Sequence, residues 1–210
     1  TAIKTNIETS HIPIVLLTAL NDEKNILNGL ATGADGYITK PFSIKMLKAR
    51  ISNILSNRDL LRQRYAMATK MDSEKPGLLP AEANTLDWKF ITDVKNNIKN
   101  NIDNTDFTVD SLCSLHNMSR TSFYNKLKAL TGLPPQEFIK NIRLKRATQL
   151  LKEGVHNITE ISEMCGFSES KYFRQVFKKE YKMSPSQYAK VNGVSSSIIE
   201  DDASQEDSEC

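Results

Sequence analysis

The sequence predicts a mainly α-helical chain, with a short α/β segment first and then an all-helical region holding two copies of one helix-turn-helix unit. Three observations carry this. Apolar residues in the later part of the chain recur at helical spacing rather than in alternation. The pattern also repeats at an offset of fifty positions, where Phe123, Leu127, Pro135 and Phe138 are answered by Phe173, Phe177, Pro185 and Tyr188. Near the start, apolar runs and helical stretches alternate, the order expected of parallel strands joined by crossover helices.

Taken in order, His11 to Thr18 (HIPIVLLT) is an apolar run suited to a strand buried on both faces. Asn21 to Thr32 reads as an amphipathic helix using Ile26, Leu27 and Leu30, closed by Gly33-Ala-Asp-Gly36. Tyr37 to Thr39 forms a brief second strand, and a helix follows from about Ser43 through Leu55, running on toward Tyr65. Ala66 to Leu86 holds Lys75-Pro-Gly77 and Pro80 with few large apolar residues, so it reads as a linker. Asp87 to Ile102 then carries Phe90, Ile91, Val94, Ile98 and Ile102 on one side, a helix expected to brace the motif after it.

The second motif is the clearer of the two. Asn157 and Glu160 offer a capping box before Ile158, Ile161 and Met164, and Gly166 supplies a left-handed residue to end that helix. Ser168 is expected to cap the next helix after a three-residue turn, with Phe173, Val176 and Phe177 as its buried stripe. Its other face carries Ser170, Lys171, Arg174, Gln175 and Lys178. In the first motif Val109, Leu112 and Leu115 stand forty-nine positions earlier, and Asn117, tolerant of the left-handed conformation, occupies the place of Gly166. Its turn is therefore one residue shorter. Pro135 to Lys152, with Phe138, Ile142, Ala147, Leu150 and Leu151 inward and Gly154 at its end, forms a stiff helix between the motifs.

The 210 residues suit one or two domains with a real core. A net charge of +3 hides an asymmetry: Thr105 to Asn192 holds 14 Lys and Arg against 8 Asp and Glu, whereas Gly193 to Cys210 holds 6 acids and no base. A basic motif region with an acidic tail favours phosphate-bearing partners over a small-molecule enzyme. No apolar run is long enough to span a bilayer, and the opening residues lack a signal-peptide pattern, so a soluble chain is expected. Cys113 and Cys165 fall in packing positions and Cys210 ends the chain, which gives no disulfide framework or metal spacing. His11, His116 and His156 show no ligand spacing, and the sequence lacks a Ser/His/Asp set or a Gly-rich phosphate loop. The expectation is no enzyme, no cofactor and no metal.

LTGLPPQEFIKNIRLKRATQLL followed by ITEISEMCGFSESKYFRQVFKKEYKMSPSQY resembles the two-motif DNA-binding domain of AraC-type transcription regulators, over about Asp87 to Val191. The resemblance implies two recognition helices entering successive major-groove segments of double-stranded DNA, about one helical turn or roughly 34 Å apart. It also implies the readers: Arg120, Thr121, Tyr124 and Asn125 on the first helix, and Ser170, Lys171, Tyr172, Arg174 and Gln175 on the second. Lys128, Lys178 and Lys179 suit phosphates.

HIPIVLLTA with GADGYITKPF resembles the second half of a response-regulator receiver domain, over Thr1 to about Asn57. By that resemblance Thr18 senses a phosphoryl group, Tyr37 is the aromatic switch and Lys40 contacts the aspartyl phosphate, with a cis bond before Pro41. The chain opens after the point where the phosphoacceptor Asp and the metal-binding acids belong, so no phosphoacceptor is expected in it.

The expected organisation is therefore a receiver half at 1–65 with two strands and two helices, a linker at 66–86, an AraC-type domain at 87–192 and a disordered, weakly autoinhibitory acidic tail at 193–210. This order resembles the cytoplasmic end of a hybrid two-component regulator, a group that controls carbohydrate-utilisation genes. The resemblance implies promoter DNA and the transcription machinery as partners, a cytoplasmic location for this part of a membrane-anchored parent, and no membrane contact by the fragment itself. The apolar edge of the first strand adds the expectation of a homodimer through the receiver half. An alternative is a phosphorelay interaction module whose helices do not read DNA specifically.

Overall fold

The computed structural model describes residues 2–19, 31, 33–70 and 85–193. The helix expected at Asn21 to Thr32 lies outside the described residues but for isolated positions, as do the centre of the linker and the tail beyond Gly193. The described elements are α1 (Ala2–Thr5), β1 (Val15–Thr18), β2 (Gly36–Thr39), α2 (Ile44–Lys70), α3 (Thr85–Asn100), α4 (Val109–Leu115), α5 (Arg120–Thr131), α6 (Pro135–Glu153), α7 (Ile158–Met164), α8 (Ser170–Tyr181) and α9 (Pro185–Asn192). The chain is mainly helical, as its periodicity predicts. It forms two compact units, residues 1–94 with 113–135 and residues 95–112 with 136–210. This division passes through α3, α4 and α6, whereas the sequence suggested a break at 66–86.

In the first unit β1 and β2 pair in parallel, Val15 opposite Gly36 and Thr18 opposite Thr39. Asp35 fixes the entry to β2: its carboxylate accepts from the Ile14 amide at 2.7 Å and pairs with Lys4 Nζ at 2.6 Å and Arg58 Nη2 at 3.7 Å. The expectation of a first strand buried on both faces is corrected, because Leu17 is 45% exposed. Among the described residues β1 has a neighbouring strand on one side only. Ile38 of β2 and Ile54 of α2 are buried, while Ile44, Ile51 and Leu55 of α2 are exposed.

Helix α2 continues past Tyr65 to Lys70, since neither Gly nor Pro interrupts it before Pro76. With α3 beginning at Thr85, helix enters both ends of the expected linker, and 71–84 lie outside the described residues. The N-terminal part of α3 braces the first motif as expected: the Phe90 ring meets His116 at 5.2 Å and Phe123 at 5.6 Å between centroids.

The second unit is built on Leu144, Ala147, Leu150 and Leu151 of α6, Ile158 and Ile161 of α7, Phe173 and Phe177 of α8, and Ala189 of α9. Phe177 lies 4.6 Å from Tyr181 and 5.5 Å from Tyr188, an aromatic cluster behind α8. Burial pushes the Tyr181 phenol up to about 12. Arg143 of α6 holds the loop before α4 by donating from Nη2 to the Asn104 carbonyl at 2.6 Å.

Candidate nucleic-acid interface

Each motif is set by its turn. In the first, Asn117 takes the left-handed conformation (φ 51°) and the Met118 amide donates to the Cys113 carbonyl at 3.0 Å. Ser119 then caps α5, its Oγ accepting from the Ser122 amide at 3.1 Å. The inward side of α5 carries Phe123 and Leu127, both buried. Arg120, Thr121, Tyr124, Asn125 and Lys128 are exposed, which brings the four predicted readers of this helix and its predicted phosphate contact to the surface. The Lys128 ammonium lies 5.5 Å from the Tyr124 ring centroid, a cation–π contact that holds the two side chains together.

In the second motif the capping box forms as predicted: Asn157 Oδ1 accepts from the Glu160 amide at 2.9 Å and Glu160 Oε2 accepts from the Asn157 amide at 3.1 Å. Gly166 is left-handed (φ 72°). The turn is longer than expected, however, and Glu169 rather than Ser168 stands at the N-cap, with no side-chain cap bond. Phe167 accounts for this. Its ring is buried 5.1 Å from that of Phe173 and its amide donates to the Ser162 carbonyl at 3.0 Å, so the chain must first return from the core before helix can begin.

On α8, Lys171, Tyr172, Gln175, Lys178 and Lys179 are exposed and Arg174 is half-buried, opposite Phe173 and Phe177. The Ser170 Oγ is buried and has no hydrogen-bond partner within the chain. Lys178 and Lys179 fall in the last turn, where cations also complement the helix dipole.

Of the three positions assigned to a receiver switch, Thr18 ends β1 and Lys40 directly follows β2, whereas Tyr37 is the second residue of β2. The Lys40 amide donates to the Thr18 carbonyl at 2.7 Å, and Tyr37 stands opposite Leu16. Tyr37 is half-buried and Lys40 exposed. The Lys40–Pro41 peptide is cis, as the resemblance implied.

Sequence reasoning missed Lys126. It lies on α5 between exposed Asn125 and buried Leu127, is fully buried, and places Nζ 2.6 Å from Asp87 Oδ1 and 2.7 Å from Ser10 Oγ. The repeat held the signal, since fifty positions on the same slot is Val176. Next to this cluster His11 is buried, and burial together with the Lys126 charge lowers its pKa to about 4. His116 is lowered by burial, and His156 Nδ1 lies 3.4 Å from Glu160. Among the described residues no group of His, Cys, Asp and Glu could hold a metal ion, and no helix is long and apolar enough to cross a membrane.

Two turn-linked helix pairs, each showing a basic and amide-bearing face on its second helix, define a helix-turn-helix protein. Residues 112–190 match the family described as a helix-turn-helix domain. The chain is 40% identical over 188 residues to histidine kinase P4 of Formosa agariphila, covering 89% of this chain and 13% of that protein. It is 33% identical over 88 residues to the transcriptional regulator MtrA of Neisseria gonorrhoeae, covering 42% of this chain and 29% of that one. To the transcriptional activator RhaR of Salmonella dublin it is 28% identical over 170 residues, covering 80% and 54%. A solved structure, the C-terminal domain of the response regulator yesN from Fusobacterium nucleatum, aligns at a TM-score of 0.46 and 28% identity over 48% of this chain and 98% of that one. The chain thus carries an AraC-type helix-turn-helix domain of transcription regulators, and it spans only about an eighth of the first of these relatives.

Proposed function

We propose that this chain is the output end of a hybrid two-component regulator, in which a receiver half precedes an AraC-type domain that reads promoter DNA and controls carbohydrate-utilisation genes. The observation that carries the reading is the sidedness of α8: buried aromatic rings on one side, and Lys171, Tyr172, Gln175, Lys178 and Lys179 outward on the other. Side chains of this kind match base edges and phosphates, and α5 repeats the arrangement with Arg120, Thr121, Tyr124, Asn125 and Lys128. The phosphorelay part of the reading is supported by the alignment of most of this chain with a small part of a much longer protein called a histidine kinase. Parallel strands that bring Thr18 and Lys40 together add to it. A cytoplasmic location and contact with the transcription machinery follow from the role. The test is a mobility-shift titration of the full chain with duplexes from a randomised pool, each against a scrambled duplex at fixed salt. Recovery of a consensus supports the reading, and equal affinity for all duplexes overturns it.

A second part of the proposal is self-association through the receiver half. The exposed stripe of Ile44, Ile51 and Leu55, with Leu17 on β1, which among the described residues is paired on one side only, favours burial against a second copy. Sedimentation of the full chain against an Ile51→Glu/Leu55→Glu variant tests it, with a dimer expected for the first and a monomer for the second.

A further inference from the structure

Lys126 is an ammonium group placed in the interior of α5, the first recognition helix, and its partners come from two other elements. Asp87 belongs to α3, and Ser10 to the segment between α1 and β1. The three side chains close on one another: Nζ to Oδ1 at 2.6 Å, Nζ to the Ser10 Oγ at 2.7 Å, and that Oγ to the same Oδ1 at 2.6 Å. All three residues are buried. A buried ion pair is a poor way to gain stability, since desolvation offsets its attraction and apolar replacements are often tolerated or favourable. The repeat makes that argument within this chain, because the second motif fills the equivalent position with Val176. The fold of a motif therefore does not require the charge.

What the charge does is make the position of the early segment matter to α5. An ammonium has three protons to place and no acceptor of its own. Withdrawing Ser10 strips Lys126 of an acceptor where it is fully buried, which is costly, so any shift of the segment is linked to a shift of the helix. Two further bonds confine the same elements. Arg58 of α2 donates to the His11 carbonyl, and Arg62 of α2 donates from Nε to the Ala129 carbonyl of α5 at 2.7 Å. Lys126 directly follows Tyr124 and Asn125, which face outward, so a small rotation of α5 about its axis re-aims both.

We propose that Ser10, Asp87 and Lys126 form a positioning joint through which the segment before β1 sets the aim of the first recognition helix on DNA. This rests on the DNA-reading role proposed above. None of the three is a DNA-contacting residue. They act through Tyr124 and Asn125.

The experiment uses the full chain and the duplex it selects from a randomised pool. Ser10→Ala is introduced into the native background and into an Asp87→Leu/Lys126→Met background, in which the joint is apolar. In the native background we expect Ser10→Ala to weaken binding about tenfold or more, the scale of one lost hydrogen bond to a charged group. Base substitutions under the first helix should lose their discrimination, while those under the second keep it. In the apolar background the same change should have no effect. Ser10→Thr, which keeps the hydroxyl, should restore native binding where Ser10→Val does not, and this pair decides the question if the apolar double variant fails to fold. An unchanged affinity in the native background, an equal loss in both backgrounds, or discrimination lost equally under both helices overturns the proposal. Failure to select any duplex instead overturns the DNA-reading role on which it stands.

Discussion

The carbonyl oxygen of Ile102 occupies the space into which a Cβ on Gly166 would project, and the Arg143 guanidinium closes the same space from the side. Gly166 therefore answers two demands at once, a left-handed backbone at φ 72° and a close approach of another chain segment.

The two demands separate experimentally. Gly132, at the end of α5, is also left-handed (φ 77°), but a Cβ there meets nothing within 4 Å. Gly132→Ala should cost about 1 kcal/mol, the backbone term alone, and Gly166→Ala about 3 kcal/mol or more because the clash adds to it. Urea unfolding midpoints of the two variants check this. Equal losses would mean that Ile102 and Arg143 give way freely.

On α8, Arg174 is placed early and half-buried, and Lys179 late and exposed. Arg174→Ala should cost about 1–3 kcal/mol on the selected duplex and little on scrambled DNA, whereas Lys179→Ala should weaken both alike and reduce the salt slope by about one. Titrations at several salt concentrations distinguish these roles. An equal loss on both duplexes for Arg174→Ala removes it from the base readers.

His11 makes stability depend on pH. Its folded pKa of about 4 lies below the ordinary 6.5, so the unfolded chain binds the extra proton between these values. The contribution is present above pH 6.5 and is lost as the pH falls toward 4, reaching about 3 kcal/mol in full. Unfolding free energies at pH 7.5, 6 and 5 should fall more steeply for the native chain than for His11→Gln. Parallel curves would show that His11 is protonated without penalty in the fold.

Burial also pushes the Cys165 thiol up to about 12, leaving almost no thiolate at neutral pH. Peptide mass mapping after iodoacetamide at pH 8 should find Cys165 and the buried Cys113 unmodified in the folded protein and both modified in urea. Rapid labelling of Cys165 without denaturant would place it near solvent.

Local signals carried much of the fold. Asn157 with Glu160, and the left-handed Asn117 and Gly166, needed only neighbours in the chain, and each adopts its expected geometry. The outward face of α5 was legible for the same reason: a helix with Phe123 and Leu127 inside must show Tyr124, Asn125 and Lys128 outside. What sequence periodicity alone could not decide were contacts between residues far apart. Phe167 moved the N-cap of α8 from Ser168 to Glu169 by burying its ring against Phe173. Lys126 carries the same lesson. By spacing it belongs to the inward face of α5 and by chemistry to solvent, and only the arrival of Asp87, 39 residues earlier, and Ser10, 116 residues earlier, resolves the conflict. Helix period fixes which way a side chain points, but whether a charge can stay there depends on partners that the tertiary structure alone brings within hydrogen-bonding distance.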